Sequence, residues 1–178
     1  MDSVRNKDIM PQIVLPQIDV IQESHMMALD HYHMGIYRTL YEHAMTLVPD
    51  IFGFFRLNRE PILKINLYHA DPDARTSTMK DLRTLDIETV YSEVSSIECS
   101  HRGVHKGQGL RNLCHYLGLR TEECIAVGDA ENDISMIREA GLGVAMGNAG
   151  AKVRAAAARI VSDNDHAGCA EAIRFLLE

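Results

Sequence analysis

The spacing of apolar residues changes along the chain, and the change falls near residue 100. Before it the signals are mixed. In SHMMALDHYHMGIYRTLYEHAMTLV, residues 24–48, the positions Met26, Ala28, Leu29, Met34, Ile36, Tyr37, Leu40 and Tyr41 fit much of a helical stripe, and Pro49 with Asp50 supply a stop. In PILKINLYHADPDA, Ile62, Lys64, Asn66 and Tyr68 alternate with Leu63, Ile65 and Leu67, which predicts a strand with one buried face. DPDA then reads as a turn, TSTMKDLRTL as a short helix, and TVYSEVSSIECS as one or two strands.

After residue 100 helices and short apolar runs alternate. GQGLRNLCHYLGL places Leu110, Leu113, Cys114 and Leu117 on one helical face, with Gly118 as its C-cap. CIAVG is a continuous apolar run, as in a strand covered on both faces. DISMIREAG is a short helix that Asn132 or Asp133 can cap and Gly141 can end. GVAMG is a further strand, AKVRAAAAR a helix and IVS a strand. HAGCAEAIRFLLE closes the chain as a helix with Cys169, Ile173 and Leu176 on one face. Such alternation predicts an α/β fold, a parallel sheet with crossover helices. It also suggests two parts, residues 1–98 and 99–178.

Composition narrows the function classes. Hydrophobic residues make up 46% and charged residues 24%, as in soluble globular proteins. The net charge of -7, from 18 Lys and Arg against 25 Asp and Glu, disfavours nucleic acid as a partner, because a nonspecific binder needs a basic face. It is compatible with a divalent cation. No apolar run approaches the length that spans a membrane. The start, MDSVRNKDIM, lacks the apolar core of a signal peptide, so the expected location is the cytoplasm. Cys99, Cys114, Cys124 and Cys169 form no Cys-x-x-Cys pair and read as small buried hydrophobes in a reducing compartment.

The chemistry concentrates after CIAVG. In open parallel sheets, ligands bind at the carboxyl ends of strands. Asp129 lies there, behind Gly128, and a carboxylate so placed suits Mg²⁺, a hard cation that keeps several of its waters. Asn132 and Asp133 stand at the start of the next helix, where backbone N–H groups favour an anion. Gly-Asp alone is commonly only a strand end, and Asp or Asn at a helix start is usually only a cap.

The longer run is more specific. VGDAENDISMIREAGLGVAMGNA resembles the fourth motif of the haloacid dehalogenase (HAD) superfamily, in particular its Cof-type sugar phosphatases. The matching residues are Gly128, Asp129, Asn132, Asp133, Met136, Ala140, Gly141, Val144, Ala145, Met146, Asn148 and Ala149. GVHKGQGL is similar to the third motif through Lys106, and NDHAGCAEAI to the closing segment through Asn164 and Gly168. The resemblance is strong from about residue 98 onward and weaker over residues 60–98, where ILKINLY and SSIECS look like strands of a cap domain.

That resemblance implies a partial HAD-like Rossmannoid sheet after residue 98, preceded by part of an α+β cap. It implies a Mg²⁺-dependent phosphatase of small phosphorylated metabolites. Asp129 would ligate the metal and Asp133 would support its shell through water. Lys106, the catalytic lysine, would neutralise the phosphate and the nucleophilic aspartate. Asn132 and Asn148 would contact or order the phosphate. Family members attack phosphorus with an aspartate from an Asp-x-Asp-Gly motif, which covalent catalysis requires. Neither DPDA at Asp71 nor DNDH at Asp163 has that context: no strand end directly precedes the first, and the second lies in the closing segment. The chain is therefore expected to begin inside the cap and to be inactive alone. Without its family neighbour CIAVG would be an apolar sheet edge, open to a second copy in a homo-oligomer or to a complementing amino-terminal piece. The rival expectation is a truncated, non-catalytic binding module. His25, His31, His33 and His43 lack a completing ligand at usual zinc spacing, and Gly107-x-Gly109-x-x-Asn112 lacks the third glycine of a dinucleotide loop.

Overall fold

In the computed structural model, which describes residues 7–176, the chain divides into a first unit ending at Arg102 and a second beginning at Gly103. The reading of the first six residues as free of a leader lies outside the described residues. Among the described residues no helix is long and apolar enough to cross a membrane.

The first unit is built on strands β1 (Ile9–Val14), β2 (Asp19–Gln22), β3 (Met45–Val48), β4 (Lys64–His69), β5 (Ile87–Tyr91) and β6 (Ser96–His101). Their spatial order is β3-β2-β1-β4-β6-β5, antiparallel throughout except for β2 with β3. The alternation in β4 works as expected on one side: Leu67 packs with Ile9, Met79, Leu82 and Ile97. The opposite side is buried too, against expectation, since Asn66 and Tyr68 are also covered. Tyr68 packs with Met10, Ile21, Leu29, Tyr32 and Met34.

The cover on that side is the Met- and His-rich stretch, which is not one helix. It forms α1 (Glu23–Met26), a turn with His33 at φ 61°, and α2 (Arg38–Ala44). Met34 N–H turns back to the Leu29 carbonyl at 2.8 Å, and Asp8 receives both His31 (2.6 Å) and the Tyr32 hydroxyl (2.9 Å). The helix stops at Ala44, before Pro49, because residues 45–48 pair with β2. Asp50 instead caps a new helix, α3 (Ile51–Leu57), accepting from the Phe52 N–H.

DPDA is likewise more than a turn. Asp71 accepts from the Ala74 N–H at 2.8 Å and caps α4 (Pro72–Leu82), with Pro72 in its first turn. Moreover, β4 ends at His69, so a strand does run up to this segment. That strand is flanked by antiparallel neighbours on both sides, and the Asp71 carboxylate is used as a cap.

His69, at the end of β4, is 1% exposed. Its Nδ1 meets the Ser95 carbonyl at 3.0 Å, while Nε2 has no partner among the described residues. Burial lowers its pKa below the ordinary 6.5, since a charged ring loses its hydration there. The unfolded ring protonates first, so the stabilisation is whole above 6.5 and is lost as pH falls below it. Amides of β4 and β6 are therefore expected to exchange faster at about pH 5.5 than at about pH 7.5 after correction for intrinsic rates, and less so in His69→Gln. Equal pH dependence in both proteins would refute this.

In the second unit β7 (Ile125–Gly128), β8 (Leu142–Ala145) and β9 (Arg159–Ile160) form a parallel sheet in that order. Its helices are α5 (Lys106–Leu117), α6 (Ile134–Glu139), α7 (Ala151–Ala156) and α8 (Gly168–Arg174). Ile137 of α6 and Val153 of α7 pack with Ala145 and Ala149 in one cluster. Ala172 of α8 packs with Val144, Met146 and Val161 in another. Gly118 caps α5 at φ 70°, as expected. The predicted apolar faces are only partly covered: α5 buries Gly107 and Cys114 but exposes Leu113 and Leu117, and α8 buries Gly168 and Ala172 but exposes Cys169 and Ile173, with Leu176 exposed just past its end. Residues 177 and 178 of the closing segment lie outside the described residues. Among the described residues β7 pairs only with β8, so its other edge is open.

Candidate active site

The site is built where β7 ends. A Cβ on Gly128 would lie 2.3 Å from the Asp133 Cβ, so glycine alone lets the following turn fold Asp133 back beneath the strand end. Asp133, one of the two residues the sequence offered as the cap, holds the N-cap position of α6, but its carboxylate does not cap that helix. It points backwards. Oδ2 accepts the backbone N–H groups of Asp129 (3.0 Å) and Ala130 (3.1 Å), and Oδ1 accepts from Lys106 Nζ at 2.5 Å. The Asp133 side chain is 5% exposed and that of Lys106 50%. One oxygen thus fixes the turn and the other fixes the lysine.

Lys106 is the first residue of α5, which His105 caps by accepting from the Gln108 N–H at 3.2 Å. The next residue, Gly107, rests on α6: its N–H donates to Ser135 Oγ at 2.9 Å, and a Cβ would come within 2.8 Å of the Ser135 carbonyl oxygen. Ser135 locks the two helix starts together. Sequence reasoning missed it, because a serine in a helix carries no signal until its partner is known.

Asp129 is exposed at the strand end. Its Oδ2 accepts from Asn148 Nδ2 at 2.8 Å, and Asn148 Oδ1 accepts from the Asn164 N–H at 3.3 Å. Lys106, Asp133, Asp129 and Asn148 are therefore linked through hydrogen bonds at one end of the parallel sheet. Asn132 stands half-buried in the 3₁₀ turn Glu131–Asp133 between the two aspartates. Beside it Lys152 pairs with Glu131 at 2.8 Å. Among the described residues no group of three or more His, Cys, Asp or Glu is arranged to hold a metal. Asp129 can offer a carboxylate to a hard cation. Both Asp133 oxygens are already engaged by protein donors.

A parallel α/β unit with a lysine–aspartate pair and a second aspartate at its strand ends defines the class. The profile of the haloacid dehalogenase-like hydrolases matches residues 8–173, and the chain belongs to that family. It is 40% identical over 113 residues to the 5-amino-6-(5-phospho-D-ribitylamino)uracil phosphatase YcsE of Bacillus subtilis, a match covering 63% of this chain and 45% of that protein. A haloacid dehalogenase-like hydrolase from Bacteroides thetaiotaomicron shares 31% identity with a TM-score of 0.72, over 98% of this chain and 64% of that one. Another from B. subtilis matches at a TM-score of 0.81 and 24% identity, over 96% of this chain and 66% of that one, and shows the shared fold. The chain thus spans about half to two thirds of the length of these relatives.

Proposed function

We propose that this chain supplies the lysine and metal-carboxylate half of a Mg²⁺-dependent phosphatase acting on small phosphorylated metabolites in the cytoplasm. The carrying observation is the buried Asp133 that holds Lys106 beside Asp129 at the carboxyl end of β7. Lys106 would offer its half-exposed ammonium to a phosphoryl group and balance its charge. Asp129 would be a direct Mg²⁺ ligand, with Asp133 acting behind it by orienting Lys106 and the turn. Mg²⁺, when bound, supplies further charge neutralisation to the phosphate. Asn148 would hold the Asp129 carboxylate, and Asn132 would help order the anion. The names of curated relatives support the phosphatase reading.

The two Asp-x-Asp runs of the 178 residues are Asp71–Asp73 and Asp163–Asp165, and neither continues into glycine. The nucleophile is therefore proposed to come from a complementing segment. The open edge of β7 and the exposed Leu113, Tyr116 and Leu117 of α5 are surfaces fit for that association.

One experiment tests both parts. The purified chain is assayed with p-nitrophenyl phosphate and a panel of sugar phosphates, with and without Mg²⁺, while light scattering reports its mass. The expected outcome is an associating protein with little or no turnover. Mg²⁺-dependent turnover by a monomer would overturn the half-site reading, and if Asp129→Ala left that turnover intact it would overturn the site as well.

A further inference from the structure

The two elements that carry the site also meet through a pair of sulfurs. Cys114 lies in the last turn of α5 and Cys124 immediately precedes β7, and their Sγ atoms are 3.3 Å apart. Both are free thiols. Cys114 is buried and Cys124 half-buried, with its Sγ also 3.6 Å from the Arg120 carbonyl oxygen. The proposed phosphatase chemistry uses neither thiol. As isolated core residues they would need no mutual contact, and ten positions separate them in sequence. We infer that Cys114 and Cys124 form an oxidisable dithiol, a modification site at which hydrogen peroxide closes a reversible disulfide inside the second unit.

The geometry asks for little. A disulfide needs an S–S separation of about 2.05 Å, so the sulfurs must close by roughly an ångström. Cys124 is the more accessible sulfur and reacts first. Its thiolate attacks one peroxide oxygen; an S–O bond forms, the O–O bond breaks, and the departing hydroxide takes the thiol proton as water, leaving a sulfenic acid. The Cys114 sulfur then attacks the Cys124 sulfur. The S–S bond forms, the S–O bond breaks, and the second hydroxide leaves as water with the Cys114 proton. In sum two thiols give two electrons to one peroxide and yield a disulfide and two waters. A small thiol reverses it by exchange. The other cysteines are poor alternatives. Burial pushes the Cys99 thiol up to about 12, which keeps it protonated. The sulfur beside Cys169 is the Met146 thioether at 3.8 Å, which cannot form a disulfide.

Closure would tie the helix that begins at Lys106 to the strand that ends before Asp129. The test does not depend on phosphatase activity. The reduced chain is treated with hydrogen peroxide, its remaining thiols are alkylated, and it is cut with trypsin. Cleavage at Arg111, Arg120 and Arg138 puts Cys114 in the peptide 112–120 and Cys124 in 121–138. The expected product is these two peptides joined, two hydrogens lighter than their sum and separated by reductant. Phenylarsine oxide, which bridges neighbouring thiols, should block the joining when added first. Cys124→Ser should abolish both effects, and Cys169→Ser neither. Recovery of both peptides singly alkylated, or carrying only sulfinic and sulfonic acids, overturns the inference. So does joining through Cys169 of another chain. The wild-type map decides the matter even if Cys124→Ser fails to fold.

Discussion

Asp133→Ala is expected to loosen the turn after β7 and release Lys106, at a cost of about 2–4 kcal/mol to the second unit. The carboxylate is nearly inaccessible and accepts three hydrogen bonds. Its removal strands the N–H groups of Asp129 and Ala130 under the strand end and leaves Lys106 without its counter-charge. Lys106→Met is a different perturbation. The lysine side chain is half-exposed, its stem can still pack, and Asp133 keeps its two backbone donors. Its cost should be about 1 kcal/mol. Because two units unfold in one chain, a single denaturation midpoint is a poor readout. Amide exchange is direct: the Asp129 and Ala130 amides should lose protection in Asp133→Ala and keep most of it in Lys106→Met. Equal loss in both would mean that the ion pair, and not the carboxylate's grip on the turn, holds the site.

The second unit was legible because its signals are local. Each strand is a short apolar run, each helix has its own ends, and Gly118 does adopt the left-handed cap its position suggested. Lys106, Asp129 and Asp133, which the resemblance to the HAD motifs singles out, do come together at one end of the parallel sheet. The aim of Asp133 was not legible. From sequence it reads as one of two candidate helix caps, and only the close pass of Gly128 turns its carboxylate back toward the strand end. Nor could periodicity say which side of α5 or α8 would be covered, because that depends on neighbours far away in the chain. In the first unit the failures share this origin. Residues 45–48 read as helix because their partner, β2, lies more than twenty residues earlier. β1 went unread because Pro11 interrupts its pattern; the β2 ladder reaches only Gln12–Val14, so the missing N–H costs nothing on that side.

An effect of similar size in the second unit belongs to Gly128→Ala. The added methyl carbon would stand 2.3 Å from the Asp133 Cβ and 2.6 Å from its Cγ, below the 3.0 Å that real contacts respect. The strand cannot retreat, because Gly128 is opposite Ala145 in the sheet and its carbonyl accepts the Met146 N–H at 2.9 Å. Ala145 is itself fully buried. Asp133 must therefore move, and its movement breaks the contacts with Lys106 and the two backbone amides together. Overpacking of this kind costs typically 1–3 kcal/mol, and with the hydrogen bonds added the total should reach about 3 kcal/mol. A double-mutant cycle isolates the cause. Asp133→Gly is costly alone, but it removes the carbon that the new methyl would strike. Combined with Gly128→Ala it should therefore lose less than the sum of the two single changes, by a coupling of about 1 kcal/mol or more. Exchange of the β7 and β8 amides would report the three variants against the parent. Simple additivity would show that the glycine is needed for the backbone path of β7 itself, and that Asp133 could reach Lys106 without its close pass.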